Sequence, residues 1–221
     1  MPTTDLGLAS ASELIRLYRS GQASPIEATR AALARIDRHN AAVNAYVHVD
    51  SDGAMAAARA SEARWQRGAP LSEVDGVPSS IKDLAEVTGM PARAGSLTTS
   101  DARCDYDSPP ADFMKRAGAV ILGKTNTPEF GWKGVTDNRV FGATGNPWNP
   151  DKTAGGSSGG AASAAALNMG VLHQGSDSGG SIRIPAGFCG VFGFKPTFGW
   201  VPQWPPSKSA LLASIGPLTR H

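Results

Sequence analysis

The sequence predicts an α/β fold in which helices and buried strands alternate along the chain. A helical pattern over 107–118 leads directly into the apolar run Ala119-Val120-Ile121-Leu122, which is typical of a parallel strand buried on both faces. A helix of small residues over 161–166 is followed by a strand over 171–174, so the same order occurs again. A compact chain of 221 residues can bury roughly 70% of its unfolded surface if both faces of the sheet are covered.

The first element of this fold is helical. Ser24-Pro25-Ile26-Glu27 combines an N-cap serine, a proline at the first helical position and a glutamate at the capping-box position. Ile26, Leu33 and Ile36 then lie on one face at helical spacing. We therefore expect a helical N-terminal segment over 10–40 that packs one face inward.

Shorter elements are expected in the middle of the chain. Residues 45–49 alternate like a strand, and 61–67 has the composition of a polar surface helix. Asp75-Gly76-Val77-Pro78 predicts a turn into a short strand that carries Lys82. The density of Gly, Pro and Asn over 137–153 predicts an irregular loop.

Composition and charge exclude several classes of protein. The formal net charge is +2 and no run of five or six like charges occurs, so nothing indicates a nucleic-acid or anionic-membrane partner. Cys104 and Cys189 lack metal-ligand spacing and cannot form a disulfide framework, which indicates free thiols. The N-terminus carries Asp5 and Glu13 without an apolar core, and no stretch approaches the roughly 18 apolar residues of a membrane span. We expect a cytoplasmic protein.

One lysine and two serines lie in sequence contexts that indicate a shared site. Lys82 ends the run Ser79-Ser80-Ile81-Lys82-Asp83, and Ser157 and Ser181 each follow a Gly-Gly pair. The serines are 24 positions apart, and the lysine precedes the first serine by 75. A single Gly/Ser cluster is most often a flexible linker, and a lone lysine is usually a solvated charge. The three elements in this order favour a serine hydrolase with lysine as its base.

These residues and their spacing resemble the amidase signature family, serine hydrolases with a mixed α/β core and a Ser-cisSer-Lys triad. Other segments that resemble the family are Gly123-Lys124-Thr125-Asn126, Phe141-Gly142-Ala143-Thr144-Gly145-Asn146-Pro147-Trp148, Phe188-Cys189-Gly190 and Gly193-Phe194-Lys195-Pro196-Thr197. The resemblance extends over 10–220 and implies a mixed β-sheet flanked by helices. Family members are roughly twice this length, and 214–220 resembles a segment near their middle. We therefore expect 1–221 to be the N-terminal portion of a single amidase signature domain, with an incomplete sheet and substrate pocket.

The resemblance assigns each member of the triad a role. Ser181 is the nucleophile, Ser157 relays its proton, and Lys82 acts first as base and then as acid. Lysine can accept a proton only when it is neutral, so desolvation must lower its pKa from about 10.4 to roughly 7 to 8. Apolar neighbours such as Ile81 favour that change. Asp83 would oppose it if its carboxylate faced the ammonium, so we expect this side chain to point elsewhere.

The second glycine run is suited to binding an oxyanion. Glycine adopts positive φ readily, which allows successive backbone N–H groups to form an anion-binding nest. The resemblance assigns this role to the amides of Ser178, Gly179, Gly180 and Ser181.

Other residues of the two runs are expected to support the site. In the family, the peptide bond that matches Gly156–Ser157 is cis, and Gly155, Gly156 and Ser158 are candidate supports for that segment. Asp177 and Arg183 flank the second run with opposite charges. We interpret them as an ion pair that fixes the turn, and a substrate role for Arg183 is the alternative.

Three further patterns favour other classes of protein and are rejected. The run 118–125 matches the phosphate-binding G-x-x-x-x-G-K-S/T loop, but its variable positions are strand-like and apolar, so Lys124 is interpreted as structural. Gly155 to Gly159 matches the G-x-S-x-G nucleophile elbow, yet the residues before it do not have the composition of a strand. His173 would have to serve in a Ser-His-Asp enzyme, but it lies in an expected buried strand.

The sequence thus predicts an amidase that hydrolyses a linear carboxamide through an acyl-enzyme on Ser181. Its partner would be a small-molecule amide, with no cofactor, metal, nucleic acid or membrane involved and with a homo-oligomer left open. One alternative is the glutamine-hydrolysing subunit of a tRNA-dependent amidotransferase, which would use the same triad. A second is a truncated, non-catalytic remnant that keeps the motifs but binds or assembles.

Overall fold

The computed structural model describes residues 5–206 and 211–221. Its α-helices are α1 (Ala11–Arg19), α2 (Pro25–Val43), α3 (Ser51–Gln66), α4 (Pro109–Arg116), α5 (Gly159–Ala166) and α6 (Arg183–Cys189). Its strands are β1 (Tyr46–Val49), β2 (Pro78–Lys82), β3 (Val120–Thr125), β4 (Asp137–Asn138), β5 (Gly142–Ala143), β6 (Gly145–Asn146), β7 (Asn149–Thr153), β8 (Leu172–Asp177), β9 (Phe192–Gly193) and β10 (Ser214–Thr219). Short 3₁₀ turns occur at Leu6–Leu8 and Glu129–Gly131.

A mixed sheet is the centre of the fold. Within the described residues it contains six strands in the order β1-β3-β2-β8-β10-β9. Strand β2 pairs in parallel with β3 and β8, whereas β1, β10 and β9 join the sheet by antiparallel pairing. The parallel centre brings the carboxyl ends of β2, β3 and β8 to one edge, the edge at which α/β proteins bind ligands. The expected α/β class with a mixed sheet is confirmed.

Both faces of this sheet are buried, because successive apolar residues of β3 pack on opposite sides of it. Val120 and Leu122 pack with α2, α3 and Met169, whereas Ile121 packs with Ile81 and the α4 side. A strand covered on both sides needs apolar residues at successive positions, which explains the unbroken run that the sequence shows there.

The helix predicted from the capping signals at Ser24 is α2. The Ser24 hydroxyl accepts from the Glu27 amide, and the Glu27 carboxylate accepts from the Ser24 amide. A second capping box at Ser10 and Glu13 begins α1, so the helical segment expected over 10–40 consists of two helices.

The helix expected over 61–67 is longer than predicted, because α3 begins at Ser51. Asp50 caps the helix by accepting from the Gly53 amide. Residues 54–60 are rich in alanine, the best helix former. Ser61 is also buried rather than on the surface, and its hydroxyl donates to Asp75.

The expectation of an irregular loop over 137–153 is wrong in part. Strands β4 and β5 form one short antiparallel pair there, and β6 and β7 form another. Strand β7 ends two residues before Gly155, so the composition argument used against the nucleophile elbow does not hold. Strand β7 pairs with β6 alone and stands outside the central sheet, whereas an elbow follows a strand of the main sheet.

Within the described part of the chain, no helix has both the length and the apolar character needed to span a bilayer.

Candidate active site

Lys82 is the last residue of β2 and is completely buried. Its Nζ donates to Ser157 Oγ at 2.7 Å, to Ser158 Oγ at 2.9 Å and to Ser176 Oγ at 3.1 Å. Its backbone amide donates to Gln174 Oε1, which fixes the end of β2 against β8. The lysine therefore lies within a cluster of hydroxyl groups at the carboxyl end of the parallel strands.

Burial lowers the pKa of Lys82 to about 7, although the negative charge of Asp177 acts in the opposite direction. Taking an ammonium out of water disfavours its charged form, and neutral hydroxyl groups compensate for that loss only in part. A substantial fraction of Lys82 is therefore neutral near pH 7, as the expected role of a base requires.

The carboxylate next to this lysine in sequence points away from it. Asp83 Oδ1 lies 3.1 Å from Lys124 Nζ, and both side chains are buried. The Asp83 amide donates to the Thr125 carbonyl, so the chain turns toward β3 directly after Lys82. This orientation was expected for Asp83, and it also explains why Lys124 is structural.

Ser157 lies between β7 and α5, after a cis peptide bond from Gly156. A Cβ on Gly156 would come within 2.6 Å of the Val135 backbone, so only glycine fits there. Gly155 has a φ of +76°, a conformation that glycine adopts readily. Ser158 contributes its hydroxyl to Lys82, so it does more than support the turn.

Ser181 lies in the turn that joins β8 to α6. The two glycine runs are tied together here, because the Ser158 amide donates to the Ser181 carbonyl at 3.0 Å. The structure therefore brings Lys82, Ser157 and the Ser181 turn together. No hydrogen bond joins the Ser181 hydroxyl to another described residue.

Asp177 holds this turn in shape. Its carboxylate accepts from Arg183 Nε and Nη2, both at 2.9 Å, and from the amides of Gly180, Ile182 and Arg183. Burial raises the pKa of Asp177, but these hydrogen bonds outweigh burial and hold its pKa at about 2. An ion pair between Asp177 and Arg183, as the sequence predicts, is thus present, and its role in fixing the turn remains our interpretation.

One of the four amides proposed for the oxyanion hole has a partner within the turn. The Gly180 amide donates to Asp177 Oδ1 at 2.7 Å and is therefore committed to the turn. The amides of Ser178, Gly179 and Ser181 donate to no other described residue. These three amides remain the candidate donors to an oxyanion. The Gly180 amide is not among them, because Asp177 Oδ1 already lies in the direction in which its N–H points.

Two polar contacts of Lys82 were not predicted. Ser176 and Gln174 are two positions apart on β8. Gln174 Oε1 accepts from the Lys82 backbone amide, and Ser176 Oγ accepts from Lys82 Nζ. Their spacing is that of one strand face, but the sequence contains no pattern that identifies Lys82 as their partner.

No sequence pattern indicated that residues 130–136, which we call the strap, lie beside the first glycine run. A Cβ on Gly131 would lie 3.3 Å from Ser157 Oγ, and Thr136 Oγ1 accepts from the Gly159 amide at 3.1 Å. The strap thus runs along the first glycine run. The available signal in the sequence was the glycine at position 131, which has a φ of +70° in the structure.

The residues of the rejected motifs have structural contacts. His173 is buried in β8, where Nδ1 lies 2.8 Å from Ser80 Oγ, and burial lowers its pKa to about 4. Residues 120–125 of the apparent phosphate loop are strand β3. Within residues 5–206 and 211–221, no group of three or more His, Cys, Asp or Glu side chains could hold a metal ion.

These features define an α/β protein with a buried lysine–serine centre at the carboxyl edge of its sheet. A family model described as Amidase matches residues 27–221, and the chain belongs to this amidase signature family.

Named relatives and solved structures agree with that assignment. The chain is 42% identical to a glutamyl-tRNA(Gln) amidotransferase subunit of Salinispora arenicola over 98% of its own length and 44% of that protein. It is 41% identical to indoleacetamide hydrolase of Bradyrhizobium diazoefficiens over 96% of its length and 42% of that protein. A bacterial aryl acylamidase structure superposes with a TM-score of 0.87 at 36% identity, covering 96% of this chain and 45% of that one. The chain spans less than half the length of each of these relatives.

Proposed function

We propose that the chain carries the catalytic centre of an amidase that hydrolyses linear carboxamides through an acyl-enzyme on Ser181. The observation that carries this proposal is the 2.7 Å hydrogen bond between the buried Lys82 Nζ and Ser157 Oγ, next to the turn that holds Ser181. A buried lysine that forms no ion pair with a described carboxylate and is surrounded by hydroxyl groups is suited to exchanging protons with serine.

In the proposed mechanism, Ser181 Oγ attacks the amide carbonyl carbon. Its proton passes to Ser157 Oγ while the proton of Ser157 passes to neutral Lys82. The carbonyl oxygen becomes an oxyanion and accepts hydrogen bonds from the amides of Ser178, Gly179 and Ser181. The C–N bond then breaks as the proton returns along the same path to the departing nitrogen. This step leaves an ester on Ser181 and releases ammonia or an amine.

Hydrolysis of that ester completes the cycle. Water takes the position of the departed amine and gives a proton to the Ser157–Lys82 pair as it attacks. The Ser181 oxygen leaves and regains a proton, and a carboxylate is released. A base with a pKa near 7 suits both half-reactions, because at that value it is a base and a conjugate acid in comparable amounts.

A second candidate function is supported by the relatives that are named as subunits of glutamyl-tRNA(Gln) amidotransferase. In this case the amide would be glutamine, and a partner protein would receive the ammonia. Two other relatives, the indoleacetamide hydrolase and the aryl acylamidase, have names that refer to amides with an aromatic group. Both candidates use the same centre and differ in the amide.

We place the proposed reaction in the cytoplasm. Cys104 and Cys189 are free, which agrees with a reducing compartment.

Ammonia release from a panel of linear carboxamides that includes glutamine tests the proposal. We expect release that falls by about 10³-fold or more in Ser181→Ala and Lys82→Met. Ser100→Ala and Lys152→Ala, which change exposed residues, are the matched controls and should retain the activity.

The outcome also separates the candidates. Release from glutamine alone favours the role in an amidotransferase, and release from other amides favours the hydrolase. A chain that is folded by circular dichroism and releases ammonia from no amide contradicts the proposal and favours a non-catalytic remnant.

A further inference from the structure

The carboxyl end of β2 is joined to β8 through a side chain. The pairing of the two strands extends as far as Ser80 and His173. Two residues further along β2, the backbone amide of Lys82 donates to the side-chain oxygen Oε1 of Gln174 at 2.9 Å. The glutamine thus supplies the acceptor that a backbone carbonyl would supply in a continued ladder, and it does so at the lysine of the candidate site.

Gln174 is itself held in one orientation. Its Nε2 donates to the Gly175 carbonyl at 3.1 Å, so the side-chain amide has its nitrogen toward a carbonyl and its oxygen toward the Lys82 N–H. The backbone of Gln174 pairs with Pro217 of β10, and the residue is buried. Glutamine is mostly found on protein surfaces, and a buried amide is tolerated where its polar atoms have partners.

Strand β8 therefore contacts Lys82 at both ends of the residue. Gln174 accepts from the backbone amide, and Ser176, two positions along the same strand, accepts from Nζ at 3.1 Å. A lysine side chain is long and flexible, so the position of Nζ depends on how firmly its backbone is held. Because the Lys82 amide has a partner within the protein, no water molecule is needed to satisfy it.

We propose that Gln174 is a positioning residue, which holds the backbone of Lys82 so that Nζ stays among the hydroxyl groups of Ser157, Ser158 and Ser176. This inference rests on the proposed function and deepens it. Without the Gln174 acceptor, a buried N–H would lack a partner, and water that enters to bond it would also solvate the lysine. Protonation of Lys82 would then become easier, so the glutamine keeps this lysine available as a base near pH 7.

The pH dependence of Ser181 labelling tests the inference. A small alkyl fluorophosphonate forms a bond from Ser181 Oγ to phosphorus, fluoride leaves, and the hydroxyl proton passes to the Ser157–Lys82 pair. Intact mass gives the labelling rate at each pH, and the profile yields its plateau rate and the pH at which half of that rate is reached.

Gln174→Met keeps the length of the side chain and removes the amide oxygen. We expect this variant to raise the half-maximal pH by about one unit and to lower the plateau rate roughly tenfold, because the lysine is both wetter and less well placed. Gln174→Asn retains an amide that is one carbon too short to reach the Lys82 N–H. The profile of this milder variant should change in the same direction.

Ser80→Ala is the matched control for a general loosening of the two strands. Ser80 Oγ lies 2.8 Å from His173 Nδ1, so this substitution also removes a side-chain hydrogen bond between β2 and β8. We expect it to lower stability to urea while the half-maximal pH and the plateau rate are retained. Gln66→Met, at an exposed position, controls for the substitution itself.

The possible failures are distinguishable. An unchanged profile in the folded Gln174 variants, or an equal change in Ser80→Ala, overturns this inference and leaves the proposed function standing. Absence of label on Ser181 in the folded wild-type chain overturns the proposed function, and this inference with it.

Discussion

At the residue scale, the surroundings of Lys82 accommodate both of its protonation states. A serine hydroxyl can accept a hydrogen bond from an ammonium and can donate one to a neutral amine. Three such hydroxyls, from Ser157, Ser158 and Ser176, lie within 3.1 Å of Nζ. A change in protonation can therefore be met by rotation of hydroxyl hydrogens, without movement of heavy atoms.

Labelling of Ser181 should follow the titration of Lys82. We expect the rate of fluorophosphonate labelling to rise with pH and to reach half of its maximum near pH 7, because the neutral lysine increases as pH passes its pKa of about 7. Lys82→Met should label slowly and lose this pH dependence. A midpoint near pH 10, the value of an ordinary lysine, would contradict the account of a desolvated base.

Asp177 should matter for stability as well as for the turn. Its folded pKa of about 2 lies below its ordinary value of 3.8, so its stabilising effect is present above pH 4 and is lost as pH falls toward 2. We expect Asp177→Asn to lower the free energy of unfolding at pH 7 by about 2 kcal/mol, as measured by urea denaturation. Asp151→Asn, at an exposed position, is the control. Equal stability of the wild type and Asp177→Asn at pH 7 would show that the carboxylate does not hold the turn.

At the element scale, the sequence predicted best where signals were local. The capping box at Ser24, the turn before β2 and the small-residue helix α5 are each encoded within a few neighbouring residues. A Cβ on Gly160 in α5 would lie 2.3 Å from the Asn126 amide nitrogen, so close packing behind the site depends on these small residues.

Nonlocal contacts could not be predicted in the same way. Lys124 pairs with Asp83 because β2 and β3 run parallel in a particular register. That register cannot be predicted from the sequence of either strand. The position of the strap and the hydrogen bond between Lys82 and Ser176 both arise because segments distant in sequence meet in the fold. The commitment of the Gly180 amide to Asp177 depends on the exact shape of a turn.

His173 on β8 should make the fold sensitive to acid. Burial lowers its pKa from 6.5 to about 4, so between these values the unfolded chain binds a proton that the folded chain does not. Its contribution to the loss of stability should reach about 3 kcal/mol as pH falls from 6.5 to 4.

The measurement is urea denaturation across this pH range, compared between wild type and His173→Asn. We expect the variant to lose less stability on acidification, whereas His221→Asn, at the exposed end of the chain, should behave as wild type. Parallel pH dependences for wild type and His173→Asn would contradict the assignment.

At the scale of the whole molecule, much apolar surface is exposed toward the end of the chain. The exposed large apolar residues there are Phe188, Phe192, Phe194, Phe198, Trp200, Trp204, Leu211 and Leu212. Val201, from the same part of the chain, lines an apolar cavity of about 320 Å³ together with Phe113, Met114 and Ile215. Exposed large apolar side chains in such numbers favour association between proteins.

We expect the 221-residue chain to self-associate through this surface. Phe192 lies on β9, the last strand in the order of the described sheet, and Phe194 follows it, so an unpaired strand edge and apolar side chains coincide. Sedimentation velocity should show concentration-dependent association that decreases in the Phe192→Ser, Phe194→Ser double variant. The Leu8→Ser, Leu71→Ser double variant, changed at exposed positions elsewhere, should associate as wild type does. A monomer at every concentration would contradict this prediction.

The central claim, that Lys82, Ser157 and Ser181 form one working centre, is tested most directly by intact-mass labelling with a small alkyl fluorophosphonate. The wild type, Ser181→Ala and Lys82→Ala would be compared after circular dichroism has confirmed that each is folded. We predict one adduct per wild-type chain, located on Ser181 by peptide mapping, none in Ser181→Ala, and much slower labelling in Lys82→Ala. A folded wild-type chain that takes no label, or one that Lys82→Ala labels equally fast, would contradict the claim.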